Sequence, residues 1–79
     1  MTSLERYNKI FVSVLGIKQE ELNQNLAYQR CPEWDSVGHM DLVVHLEEAF
    51  DISFDSLEVT SFNTYEKGKE ILAAKGVEL

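Results

Sequence analysis

Cysteine is nearly absent from these 79 residues, since Cys31 is the only one. A single cysteine excludes an internal disulfide, and with it a small secreted domain held together by disulfide bonds. Cys31 precedes Pro32 and has only Arg30 as a neighbouring cation, so the thiol is interpreted as a bystander without an activating group. The lone thiol, together with the lack of a signal-peptide pattern, predicts a cytoplasmic protein.

Basic residues are scarce as well. Seven Lys and Arg stand against fourteen Asp and Glu, which gives a net charge of −7 with both histidines neutral. An acidic surface of this kind repels nucleic acids and anionic membranes, and it attracts basic protein surfaces. No apolar run approaches the roughly 20 residues that a membrane-spanning helix needs. We therefore expect neither a nucleic acid nor a membrane among the partners.

The chain is also short. Its 79 residues predict a single domain, residues 1–79, close to the lower size at which a core is stable unaided. A core of this size leaves no room for a deep pocket, which counts against a self-contained enzyme. We expect the domain to act as a monomer.

Apolar residues recur at helical spacing in three long stretches, and no pair of alternating strands is visible. The predicted elements are a helix over 3–15, an ordered loop over 17–35 with one turn near 19–22, a helix over 36–50, a short helix from 55 or 56 through 60, and a last helix over 64–75. Capping boxes are predicted at Thr2 and Asn63, and Gly16 is predicted to end the first helix. Ile52 and Phe54 are expected to plug the core. The fold class is therefore an all-α bundle of three long helices and one short one.

A serine stands where the long loop meets the second helix. Asp35 and Ser36 both have side-chain oxygens that can accept hydrogen bonds from the free N–H groups of a first turn. A phosphate on the Ser36 hydroxyl would lie near those N–H groups and near the positive end of the helix dipole. Asp-Ser before an apolar run is more often only a helix cap, and the dipeptide alone leaves both interpretations open.

The second helix has more apolar surface than a single core contact needs. At about 100° per residue, the side predicted to face the core comprises Leu42, Val43, Leu46, Ala49 and Phe50. A second apolar stripe on another side comprises Val37, Met40 and Val44. Its borders are acidic, with Asp41 and Glu48 on one edge and Glu47 and Asp51 on the other. Such a stripe is typical of a helix that docks a partner; the alternative is a central helix buried nearly all round.

The residue types suggest two further sites, a hydrolytic triad and a metal site, but the spacing of the residues argues against both. Asp35, Ser36 and His39 are the residue types of a hydrolytic triad, yet one helix start does not place an imidazole and then a carboxylate in line behind the serine. His39 is expected to be structural. His39 and His45 are six residues apart, which does not direct both to one ion, so no metal site is predicted.

Four segments together carry a family resemblance. They are Asp35-Ser36-Val37 at a helix start, the acidic Leu46-Glu47-Glu48-Ala49-Phe50 at its end, Ile52 and Phe54 after it, and the Phe62-Asn63-Thr64 entry to a last helix. With the length and the acidity, they resemble an acyl carrier protein over nearly the whole chain. Two positions depart from the family pattern: Val37 stands where Leu is common, and Trp34 replaces a frequent small residue. These departures are more similar to stand-alone carriers of specialised pathways.

The resemblance implies that Ser36, supported by Asp35, is esterified with 4′-phosphopantetheine by a separate phosphopantetheinyl transferase that uses coenzyme A. The thiol of this arm would carry an acyl or aminoacyl group as a thioester and present it to loading and synthase enzymes. The chain would be a carrier and not a catalyst. The residues expected to dock these partners are Val37, Met40, Asp41, Val44, Glu47 and Glu48. Two alternatives are an unmodified acidic helical interaction module and a small hydrolase that uses Ser36.

Overall fold

The computed structural model describes residues 2–79, in which four α-helices are joined by one long loop and two short connections. Their bounds are Ser3–Leu15 (α1), Ser36–Phe50 (α2), Ser56–Ser61 (α3) and Tyr65–Ala74 (α4), with a 3₁₀ turn at Gln19–Glu21. The predicted all-α fold of three long helices and one short one is confirmed. Within the described residues, β pairing is limited to an isolated bridge between Ala27 and Thr64. None of the described helices has the length and apolar character of a membrane span.

Local capping sets the ends of α1 and the start of α3. The Thr2 hydroxyl accepts a hydrogen bond from the Glu5 N–H at 3.1 Å, and the Glu5 carboxylate accepts one from the Thr2 N–H at 2.9 Å. The predicted capping box is therefore confirmed. Gly16 ends α1 with a φ of 66°, a left-handed conformation that glycine adopts without steric cost. Asp55 and Glu58 form a second capping box at the start of α3.

The cap of α4 differs from the prediction. Asn63 was predicted to cap this helix, but the Thr64 hydroxyl oxygen accepts the hydrogen bond from the Lys67 N–H at 2.9 Å, so the Asn63 cap is wrong. The reason is a long-range contact, because Thr64 pairs with Ala27 of the long loop and this pairing keeps it in extended backbone just before the helix. Asn63 and Thr64 are both residue types that cap helices, and the tertiary pairing selects Thr64.

The long loop is ordered because it is tied to the entry of α4. The Leu26 carbonyl accepts a hydrogen bond from the Tyr65 N–H at 3.0 Å, and the Tyr28 N–H donates to the Asn63 carbonyl at 2.9 Å. Leu26 is buried in the core and anchors this loop. These contacts fix the path of residues 26–28 and bring Tyr28 to the start of α2.

Aromatic rings form the centre of the core. The largest fully buried side chains are Trp34, Tyr7, Phe11, Phe62, Leu42, Leu46 and Leu72. The Phe11 ring meets the Trp34 ring edge-on, with centroids 5.4 Å apart. On α2, Leu42, Val43 and Leu46 are buried while Ala49 and Phe50 are half-buried, which confirms the predicted core face. Ile52 and Phe54 pack against this cluster as expected.

Gly68 allows α4 to approach the core closely. A Cβ at this position would contact the Tyr7 hydroxyl and lie 2.6 Å from a carbon of the Phe62 ring. The Tyr7 hydroxyl cannot move away freely, because it donates a buried hydrogen bond to the Tyr65 carbonyl at 2.7 Å. Burial raises the pKa of Tyr7 well above its ordinary value, so the hydroxyl stays protonated and remains a donor.

Candidate functional site

Ser36 is the first residue of α2, and its side chain is exposed. Asp35 is the N-cap: its Oδ1 accepts a hydrogen bond from the Gly38 N–H at 2.9 Å, and its carbonyl accepts one from the His39 N–H at 2.8 Å. Of the two residues that the sequence offered as caps, the structure assigns that role to Asp35. The Ser36 hydroxyl is therefore not needed to close the helix.

The first turn of α2 also suits an anionic group on that hydroxyl. Helix geometry leaves the N–H groups of Ser36 and Val37 without intrahelical partners, while Asp35 satisfies the next one at Gly38. These N–H groups lie at the positive end of the helix dipole. A phosphate ester on Ser36 would be stabilised there by the same physics that binds free anions at helix N-termini.

Gly38 permits the tight entry from the loop into α2. A Cβ at this position would lie 2.6 Å from the Glu33 carbonyl oxygen and 3.2 Å from a methyl carbon of Leu15. The loop backbone therefore passes closer to the helix than any side chain would permit, and this close turn carries Asp35 into the cap position. Sequence analysis did not identify this requirement, although a glycine in a first helical turn is an available signal.

Trp34 and His39 fix the loop to α2 and α3 beneath the serine. The fully buried Trp34 ring donates its Nε1–H to His39 Nδ1 at 3.0 Å. Because Nδ1 accepts, the proton lies on Nε2, which donates to the Val59 carbonyl at 2.8 Å. The structural role predicted for His39 is confirmed. Both ring nitrogens are engaged away from Ser36, so no hydrolytic triad forms.

Tyr28 is a second site residue that could not be identified from the sequence. Its hydroxyl oxygen lies 3.1 Å from Ser36 Oγ, within hydrogen-bonding distance. Its ring packs against the His39 imidazole, with centroids 5.2 Å apart. Seven residues of loop separate Tyr28 from Ser36, and their proximity depends on the path of that loop. No local sequence pattern reports such a contact.

The second apolar stripe of α2 is exposed. The exposed fractions of its side chains are 72% for Val37, 50% for Met40 and 43% for Val44. The predicted alternative, a helix buried nearly all round, is therefore excluded. Three of the four bordering carboxylates, Asp41, Glu48 and Asp51, are exposed. Glu47 is half-buried and accepts a hydrogen bond from the Phe54 N–H at 2.8 Å. One exposed apolar side chain on α3 was not anticipated: Leu57, at 75%.

Cys31 lies in the loop before α2 and is half-buried. Its thiol donates to Glu33 Oε1 at 3.2 Å. Burial raises the pKa of the Cys31 thiol, and the Glu33 side chain raises it further, which agrees with the bystander interpretation. His45 is exposed, with Nδ1 2.7 Å from the Asp41 carbonyl oxygen. In residues 2–79, no group of three or more His, Cys, Asp or Glu side chains is placed to hold a metal ion.

Comparison with known proteins identifies relatives of this chain. No protein-family model matches the chain. The chain is similar to the acyl carrier proteins of Buchnera aphidicola subsp. Acyrthosiphon pisum strains Tuc7, APS and 5A, each 31% identical over 74 residues. The match covers 94% of this chain and 92% of each relative.

The similarity spans nearly the full length of both chains and agrees with the all-α fold and the exposed serine at the start of α2. Acyl carrier proteins are non-enzymatic carriers that generally bear phosphopantetheine and interact with transferases and synthases. The prediction that this chain is a carrier and not an enzyme is thereby confirmed. The chain belongs to the acyl carrier protein family.

Proposed function

We propose that this protein holds acyl or aminoacyl groups as thioesters on a 4′-phosphopantetheine arm attached to Ser36. The observation that carries the proposal is the exposed Ser36 hydroxyl on the first residue of α2, in a chain of the acyl carrier protein family. Asp35 supports the attachment by capping the helix, which leaves the hydroxyl available. Residues 1–79 act as one carrier domain, monomeric and cytoplasmic; a lone free cysteine is typical of that reducing compartment.

The arm, when bound, supplies a terminal thiol on a long tether, and that thiol forms the thioester with the cargo. The residues of this chain hold the attachment point still. Trp34 and His39 lock the preceding loop to the core, and Asp35 fixes the helix start. The N–H groups of Ser36 and Val37, with the helix dipole, stabilise the negative charge of the phosphodiester.

The exposed face of α2 is proposed as the docking surface for a phosphopantetheinyl transferase and for loading and synthase enzymes. The docking residues are Val37, Met40, Asp41, Val44, Glu47 and Glu48. The apolar stripe supplies contact area, and the carboxylates steer association with basic enzyme surfaces. The net charge of −7 also favours association with basic enzyme surfaces.

The first experiment tests the attachment site by intact mass after incubation with coenzyme A and a broad-specificity phosphopantetheinyl transferase. The parent should gain one phosphopantetheine group, and Ser36→Ala should gain none. Because Asp35 does the capping, Ser36→Ala should lose less than about 0.5 kcal/mol of unfolding free energy.

The chain contains its own matched control for this substitution. Ser56 is also the first residue of a helix and also follows a capping aspartate, Asp55. Ser56→Ala should be modified as fully as the parent. If Ser36→Ala still gains the group, the attachment site is wrong. If the parent gains nothing, the alternative of an unmodified interaction module takes its place.

A second experiment tests the docking surface through the rate of arm transfer. Asp41→Lys with Glu48→Lys should slow the transfer by weakening association, although neither residue is the acceptor. Added salt should narrow the difference, because exposed charges are screened over about 10 Å at 0.1 M ionic strength. The matched control is Glu70→Lys with Glu78→Lys, which changes the net charge equally at exposed positions away from α2. Equal slowing by both pairs would show that total charge, not this face, governs docking.

A further inference from the structure

Tyr28 connects the exposed Ser36 hydroxyl to the buried core. Its hydroxyl oxygen lies 3.1 Å from Ser36 Oγ, and its ring packs on the His39 imidazole. His39 is itself held at both ring nitrogens, by the Trp34 indole N–H and by the Val59 carbonyl. The ring of Tyr28 therefore rests on an immobilised surface.

The backbone of Tyr28 is fixed as firmly as its ring. Its N–H donates to the Asn63 carbonyl at 2.9 Å, and the neighbouring residue, Ala27, pairs with Thr64 at the entry of α4. In a mobile loop, a tyrosine hydroxyl would ordinarily not stay in one position. Here both the main chain and the ring have fixed contacts, so the hydroxyl stays at the start of α2.

We propose that Tyr28 is the positioning residue for Ser36: its hydroxyl holds the serine side chain in one rotamer before the arm is attached, and donates a hydrogen bond to the arm's phosphodiester afterwards. The inference rests on the proposed attachment at Ser36 and adds a second residue of this chain to that site.

The chemistry of the transfer fixes the direction of the hydrogen bond. In the free protein, either hydroxyl can be the donor. During transfer, the bond between Ser36 Oγ and the phosphorus forms, and the phosphorus–oxygen bond to the adenosine bisphosphate of coenzyme A breaks. The serine proton passes to a base of the transferase. Afterwards Oγ has no proton, so Tyr28 must be the donor, either to Oγ or to a phosphate oxygen.

Tyr28→Phe removes this hydroxyl and keeps the ring on His39. The matched control is Tyr65→Phe, which removes a different hydroxyl, one that donates to Asn8 of α1 away from Ser36. Both variants keep an aromatic ring in place, and their circular dichroism and urea unfolding establish that they fold. Any effect confined to Tyr28→Phe then belongs to its hydroxyl.

The first readout needs no arm at all. Scalar couplings that report the χ1 angle of Ser36 should show a single rotamer in the unmodified parent and in Tyr65→Phe. They should show rotamer averaging in Tyr28→Phe. A single unchanged rotamer in Tyr28→Phe, or averaging already in the parent, overturns the positioning role.

The second readout is the ³¹P resonance of the modified protein. Loss of a donor to the phosphodiester should shift this resonance in Tyr28→Phe and leave it in place in Tyr65→Phe. In the transfer reaction, kcat should fall about two- to tenfold with KM unchanged, the effect of one ordinary hydrogen bond. An unshifted resonance, or a change in KM alone, overturns the proposal. If the parent gains no arm, the proposed function is wrong, and the χ1 couplings alone decide whether Tyr28 positions Ser36.

Discussion

Replacing Trp34 by Phe removes one hydrogen bond from the centre of the structure and keeps an aromatic ring there. Trp34 is fully buried, and its indole N–H donates to His39 Nδ1 at 3.0 Å. In Trp34→Phe this nitrogen is left without its donor inside the core. The other ring nitrogen of His39 keeps its bond to the Val59 carbonyl, so the ring has little freedom to turn toward water.

An acceptor left unpaired in a core costs about 1–3 kcal/mol. The smaller ring adds a packing loss of its own. A domain of 79 residues has a total unfolding free energy of about 4–12 kcal/mol at roughly 0.05–0.15 kcal/mol per residue. The hydrogen bond alone is therefore a sizeable share of the total. With a urea slope of about 1 kcal/mol/M for so small a protein, loss of the hydrogen bond should lower the unfolding midpoint by about 1–3 M, and the packing loss should lower it further.

Urea unfolding followed by circular dichroism measures this loss, because the variant lacks the single tryptophan needed for fluorescence. Repeating the substitution in a His39→Phe background separates the hydrogen bond from the packing term. In that background the acceptor is gone, so Trp34→Phe should cost less, by a coupling of about 0.5–3 kcal/mol. An equal cost in both backgrounds would refute the view that the Trp34–His39 hydrogen bond stabilises this loop.

Three further substitutions test the packing and the charges of the fold. Gly68→Ala should destabilise the protein by about 1–3 kcal/mol in urea unfolding, because the new methyl group meets the buried Tyr7 hydroxyl; unchanged stability would contradict the close packing of α4. Leu46→Ala, on the core face of α2, should cost about 2–5 kcal/mol by the same measurement. The hydrogen bond from the Lys75 side chain, and to a smaller extent the one from the Asp55 N–H, lowers the pKa of Glu58 below its ordinary value. The Glu58 charge therefore stabilises the folded state at pH values above the ordinary glutamate pKa, and this stabilisation is lost as the pH falls through the lowered pKa. Glu58→Gln should therefore lower the urea midpoint at pH 7, and this difference should shrink below about pH 4.5; a difference independent of pH would exclude the ion pair as its source.

The parts of this fold that could be predicted from sequence are those fixed by local chemistry. The bounds of α1 follow from the Thr2 capping box and Gly16, and those of α2 follow from its apolar period and the aspartate before Ser36. The exposed stripe of α2 also follows from helical spacing. In each case the residues that decide the structure lie within one or two helical turns of one another.

The parts that could not be predicted depend on the path of the long loop. Trp34 departed from the family pattern by sequence, and only the folded chain shows that it fills the core and donates to His39. The contact between Tyr28 and Ser36 needs the pairing of the loop with the entry of α4. The same pairing made Thr64 the cap of α4. A single sequence has no local signal for contacts made by loop closure.

Whether Ser36 bears the arm can be read from the mass of the protein isolated from its own cells. We predict one phosphopantetheine group, localised by fragmentation to the peptide that contains Ser36, with any attached acyl or aminoacyl group visible as additional mass on the arm. A protein that has no added mass at Ser36, and gains none with coenzyme A and a phosphopantetheinyl transferase, would contradict it.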